Sequence, residues 1–172
     1  MLNTSISSNS AHWLRVGLMA GLAVVLAWPS TAAAGLTLAG SVGSGWMTTP
    51  DSGRIATNIM LAPGFTVVGS FVRFELGLAA DLPDIENEDF DVQVRPMLVV
   101  QPLPFFYGRA TLGVTQLVNG PIQVALGAAL GLSASLSKTA NVFAEAGFVP
   151  RVGGDDDFMS IFEGRVGIGF GY

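Results

Sequence analysis

The chain has 172 residues, half of them hydrophobic and 12% charged, with 8 basic residues against 13 acidic ones and no cysteine. That length suits one domain, and its charge content is about half that of an ordinary soluble protein. Disulfides and a lipid-modified amino-terminal cysteine are excluded, and the acidic balance argues against a nucleic-acid partner.

Residues 1–34 read as a cleaved, helical signal peptide. A polar start carries Arg15, an apolar core runs from Val16 to Trp28, and Pro29 and Ala32-Ala33-Ala34 precede Gly35. The apolar core is well short of the roughly 20 residues a spanning helix needs. Cleavage removes Arg15, which leaves seven basic residues from the eight, and His12, the only histidine. The expected mature chain, 35–172, has neither histidine nor cysteine.

Apolar residues then recur at period two in eight segments. The first, about Leu36–Met47, sets Leu38, Val42 and Trp46 against Thr37, Ala39, Ser41, Gly43 and Gly45. The second, about Arg54–Val67, sets Ile55, Ile59, Leu61 and Phe65 against Ala56, Asn58, Met60 and Gly64, and Pro63 predicts a bulge or an early end. The third, Ser70–Asp81, sets Val72, Phe74, Leu76 and Leu78 against Phe71, Arg73, Glu75, Gly77 and Ala79. An acidic stretch with Asp84, Glu86, Glu88 and Asp89 follows as an exposed loop.

The fourth, about Phe90–Val100, opposes Val92, Val94, Leu98 and Val100 to Asp91, Gln93, Arg95 and Met97. The fifth, Phe106–Leu117, opposes Ala110, Leu112 and Val114 to Tyr107, Arg109, Thr111 and Thr115, and Asn119-Gly120 marks a hairpin. The sixth, from Ile122 to Leu136, alternates most cleanly, with Leu126 and Leu130 opposite Gly127, Ala129 and Gly131. The seventh, Ala140–Val149, opposes Val142, Ala144, Ala146 and Phe148 to Phe143, Glu145 and Gly147; Arg151 to Asp157 reads as the last loop. The eighth, Phe158–Tyr172, carries Val166, Ile168, Phe170 and Tyr172 on one face and Glu163, Arg165 and glycines on the other.

Three features point to a membrane-spanning barrel. The second face is mostly Gly, Ala, Ser and Thr, suited to a narrow interior, while the first is Leu, Val, Ile and Phe, suited to lipid. The strands exceed the soluble mode of about 5–6 residues, and a sheet in a bilayer must close on itself to pair its backbone. Three of the connections at one end, 48–53, 82–89 and 150–157, are long, while those at 68–69, 101–105 and 137–139 are short. Trp46, Phe90, Phe148 and Phe158 fall near one rim, and Phe65, Phe106, Phe170 and Tyr172 near the other, as two interfacial girdles.

The ending Arg165, Gly167, Phe170 and Tyr172 resembles the C-terminal assembly signal of outer-membrane barrels, with Tyr in place of the usual Phe. With this pattern over 35–172, the chain resembles the small eight-stranded outer-membrane barrels, such as the membrane domain of outer membrane protein A and its short relatives. The resemblance implies an all-β fold: an eight-stranded antiparallel up-and-down transmembrane β-barrel. It implies a Gram-negative outer membrane, contact with lipid and lipopolysaccharide, and reading of the ending by the barrel-assembly machinery. A monomer is expected.

If the apolar face meets lipid, Arg73, Glu75, Asp91, Arg95, Arg109, Glu145, Glu163 and Arg165 point inward. Isolated buried charge is costly, so these eight should form an interior charge network. Eight strands leave a lumen that side chains just fill, which favours a salt-bridged plug over a selective pore. Without histidine or cysteine, the mature chain can build neither a Ser–His triad nor a His- or Cys-based zinc site. No enzyme activity, cofactor or metal is expected. Asp155, Asp156 and Asp157 offer carboxylates to a hard cation but lack a binding-loop spacing. The expectation is a non-enzymatic barrel with structural, adhesive or interaction roles in its outer loops. Two alternatives are a secreted, lipocalin-like soluble barrel with its apolar face inward, and a narrow porin-like pore.

Overall fold

The computed structural model describes residues 35–49, 52–68, 71–82, 90–118, 120–154 and 158–171. They belong to one of two compact units, Ala34–Tyr172. The expected signal peptide, most of the acidic stretch after Leu82, Asp155 to Asp157, and Tyr172 lie outside the described residues.

The strands are β1 (Leu36–Thr49), β2 (Gly53–Val68), β3 (Val72–Asp81), β4 (Asp91–Leu103), β5 (Phe106–Thr115), β6 (Gln123–Ser135), β7 (Ala140–Phe148), β8 (Arg151–Val152) and β9 (Phe158–Phe170). Neighbours pair antiparallel, and β1 pairs with β9, so the sheet closes. The two-residue β8 continues β7. Both lie between β6 and β9, in one unbroken register: Ala128↔Phe148 and Val124↔Val152 on one side, Phe148↔Phe162 and Arg151↔Met159 on the other. The interruption falls at Val149-Pro150, where proline has no N–H to give the ladder. The barrel therefore has eight staves.

Following partners around the wall from Leu36 passes Phe65, Phe74, Leu98, Ala110, Ala128, Phe148 and Phe162, and returns to β1 at Trp46, ten residues further on. That stagger sets the shape. With about 4.8 Å between strands and about 3.4 Å per residue, the strands tilt by about 41° and the backbone lies about 8 Å from the axis. A ten-residue strand such as β3 then rises about 25 Å, the height of a lipid-facing apolar band.

The apolar face is the outer one. Leu126 is 65% exposed, Leu130 62%, Ile168 37% and Phe170 46%. A lipocalin-like lumen needs these side chains inside, so that alternative is overturned. Inward positions carry small or polar residues around a compact apolar group that includes Met60, Met97, Val99 and Phe143.

Four local expectations need correction. Pro63 causes neither a bulge nor an end: it pairs with Leu38, and the ladder to β3 lapses at Ala62 and Pro63 and resumes unshifted at Gly64↔Glu75. The bulges on β2 lie elsewhere, one between Thr66 and Val68 and one between Ile55 and Asn58, which sets Ile55 opposite inward Gly45 rather than on the outer face. Phe71 is not an inward strand residue. It is exposed in the turn before β3, where its N–H donates to Val68 O. Arg151 is not in a loop; it lies in β8 with its side chain buried.

Candidate functional site: the charged interior

Seven of the eight expected interior charges form one continuous chain of alternating sign. It begins on β3, where Arg73 Nε donates to Glu75 Oε1 at 3.0 Å. Arg109 on β5 bridges the lumen, with Nη2 3.3 Å from Glu75 Oε2 and Nη1 2.7 Å from Glu145 Oε1 on β7. Arg165 on β9 lies 3.7 Å from Glu145 and donates to Glu163 on its own strand. Glu163 Oε2 then accepts from Arg95 Nη1 on β4 at 2.7 Å. The order is Arg73, Glu75, Arg109, Glu145, Arg165, Glu163, Arg95.

Strand alternation explains how local sequence builds this chain. Arg73 and Glu75, like Glu163 and Arg165, are two apart on one strand, so both members face inward. The long-range links depend on closure. The strands β4 and β9 are half the circumference apart, and only a narrow barrel lets an arginine on one reach a glutamate on the other.

Neutral side chains complete the network. Tyr107 Oη donates to Glu145 Oε2 at 2.9 Å, and Asn58 Nδ2 donates to Glu163 Oε1 at 3.1 Å while its Oδ1 accepts from Arg165 Nη2 at 2.6 Å. Gln93 Oε1 accepts from Arg95 at 2.7 and 3.0 Å, and its Nε2 donates to Asp81 Oδ2 at 2.6 Å. Gln101 Oε1 accepts from Arg73 Nη1 at 2.7 Å and its Nε2 donates to Pro104 O at 2.9 Å, tying the chain to the β4–β5 turn. The space left among Arg95, Arg109, Glu145, Glu163 and Arg165 is about 20 Å³, room for a single water.

Glycines make these approaches possible at two positions. Gly131 lies between Tyr107 and Glu145 in the pairing, and a Cβ there would stand 2.5 Å from the Tyr107 hydroxyl. Its absence lets the phenol ring cross the β6 backbone to Glu145. Gly167, read as part of the assembly signal, pairs with Phe143, and a Cβ there would stand 2.5 Å from that ring. Arg165 and Gly167 thus face the lumen and Phe170 faces outward; Tyr172 lies outside the described residues.

Asp91 does not join the ion chain. It is buried and inward, but its carboxylate accepts the backbone N–H of Gln116 at 2.6 Å and of Val118 at 3.2 Å. It anchors the end of β5, where Gln116 takes the left-handed conformation with φ 58°. Two further charges face inward that the eight do not include: Asp81, the last residue of the third segment, where the acidic stretch begins, and Arg151, in the expected last loop. Parity was the available signal, because Asp81 follows Glu75, Gly77 and Ala79 at period two, and Arg151 follows Phe143, Glu145 and Gly147. Pro150 hid it for Arg151, since proline usually ends a strand. Arg151 Nε has no hydrogen-bond partner among the described residues.

Fold and interior together define a small closed β-barrel, apolar outside and ionic within. No protein-family model and no curated protein sequence matches this chain. Among solved structures it is similar to Neisserial surface protein A, with a TM-score of 0.61 and 11% identity over 82% of this chain and all of that one. A de novo designed transmembrane barrel, TMB2.3, overlaps 79% of this chain and 94% of its own at 14% identity and a TM-score of 0.45. The chain has the fold of the eight-stranded transmembrane barrels.

Proposed function

We propose that this chain is a non-enzymatic, monomeric outer-membrane barrel with a plugged interior, whose outer loops carry structural, adhesive or interaction roles. One observation carries the reading: an unbroken alternating ion chain runs from Arg73 across the lumen to Arg95, inside a wall whose strand faces are apolar outside. Charge is costly in a low-dielectric surround unless paired, and this arrangement keeps it paired and away from lipid. The likeness in fold to Neisserial surface protein A supports the membrane setting. In this reading residues 1–34 direct export, and Arg165, Gly167, Phe170 and Tyr172 are read by the assembly machinery. Lipid and lipopolysaccharide surround the wall. No histidine or cysteine follows residue 34 to serve hydrolytic chemistry.

The test is fractionation of expressing cells, heat-modifiable migration on detergent gels, and surface labelling of an epitope placed in 84–89. Outer-membrane recovery, a heat-dependent mobility shift and labelling of intact cells are expected. Recovery in the soluble secreted fraction would overturn the reading.

A further inference from the structure

The outer wall is not evenly covered. Ser44, Gly164 and Ala146 are lateral partners on β1, β9 and β7, and their small side chains leave a notch in the apolar surface. Trp46, Phe162 and Phe148, also lateral partners, form its wall on the side of the long connections. The resulting depression holds about 700 Å³. A second, of about 440 Å³, lies further along β9, where Val42, Val166 and Ile168 line it.

Arg54 lines the first depression beside its pairing partner Trp46. It is the only charged residue on the outward strand faces among the described residues. Its Nη2 donates to Thr57 Oγ1 at 3.1 Å, and it forms no ion pair with a described residue. A cation with no counter-ion among the described residues therefore stands at the head of an apolar depression, next to an aromatic girdle.

We propose that this groove binds one lipid with a net-anionic phosphate headgroup, in the leaflet nearest the long connections, with Arg54 on the phosphate and an acyl chain along β9. The proposal rests on the membrane reading above. The dimensions fit a lipid. From Phe162 to Ile168 the two depressions together span about 20 Å along the strand and about 15 Å along the barrel axis, half of a hydrocarbon core about 30 Å thick. One acyl chain of one leaflet spans that depth. A second copy fits less well, because a two-fold contact centred on this groove brings the two Arg54 side chains together with no counter-ion among the described residues.

Trp46 is the natural reporter. In a full chain carrying Trp13→Phe and Trp28→Phe it is the only one left of the three tryptophans. The protein is placed in phosphatidylcholine bilayers with a minor fraction of brominated-chain phosphatidic acid or, separately, brominated-chain phosphatidylcholine. Quenching of Trp46 by the phosphatidic acid should report enrichment of about fivefold over phosphatidylcholine, the ratio expected of one basic residue at an anionic headgroup. Arg54→Gln should bring the two lipids level. Gly164→Leu, which fills the floor where a Cβ meets nothing nearer than 4.0 Å, should lower the enrichment with Arg54 in place. Equal quenching by both lipids before either substitution overturns the site and leaves the membrane reading standing. No quenching by either lipid overturns both.

Discussion

Glu145 and Arg165 stand opposite each other on β7 and β9, yet their closest approach is 3.7 Å, while Glu145 takes a 2.7 Å bond from Arg109 on β5. The nearest residue in the sheet is not the principal electrostatic partner. Glu145 instead acts as a hub, because Tyr107 donates to its other oxygen and Arg165 is held mainly by Glu163 and Asn58.

Neutralising that hub should therefore be costly. Glu145→Gln keeps the shape but leaves Arg109 and Arg165 short of a counter-charge in a buried place. A loss of about 3–5 kcal/mol is expected, the usual effect of breaking a buried pair from one side. Urea unfolding of the barrel in lipid vesicles measures it. A midpoint unchanged from wild type would mean that the chain of charges contributes nothing to stability.

Asp91 should behave differently from Glu163. It holds two backbone N–H groups, and an amide oxygen can still accept, so Asp91→Asn should cost about 1 kcal/mol. Glu163→Gln, which strands Arg95 and Arg165, should cost several times that. Equal losses in the same unfolding assay would place Asp91 inside the network after all.

The Tyr107–Gly131 crossing predicts non-additivity. With Tyr107 present, Gly131→Ala forces a clash and should destabilise by about 1–3 kcal/mol. In a Tyr107→Ala background the same change should be nearly neutral. A double-mutant cycle reads the difference, and additive losses would show that the ring does not depend on this glycine.

Position 130 separates a lipid-facing wall from a water-facing one. Leu130 is 62% exposed near the middle of β6. Leu130→Arg should cost about 2–4 kcal/mol in a bilayer, whereas an exposed leucine in water tolerates arginine with little change. Folding yield into vesicles, followed by gel mobility, gives the answer.

A filled lumen predicts electrical silence. The space left among the central charges is about 20 Å³, so planar-bilayer recordings of pure protein should show no large, stable conductance. A persistent porin-sized conductance would favour the pore alternative.

Period-two alternation of large apolar and small residues was enough to read most of the wall. Leu126, Leu130, Ile168 and Phe170 face outward because a strand offers its side chains only two directions. The same rule turns all eight expected charges inward. It failed where proline or a bulge entered: Pro150 concealed Arg151, Pro63 drew the predicted bulge away from the two places on β2 where the register shifts, and Ile55 changed sides. Those are local backbone events, and side-chain hydrophobicity carries little trace of them.

By itself, then, the sequence determined the strands, their facing, the even count that permits closure, and a ring of charges too expensive to leave unpaired. Which charge meets which was decided only by the tertiary structure. Pairing depends on register summed around the whole wall, and the ten-residue stagger brings Arg95 to Glu163 and Arg109 to both Glu75 and Glu145. A two-residue slip at any seam would change those partners while leaving every side chain on its own face, whereas a one-residue slip would turn the strand inside out.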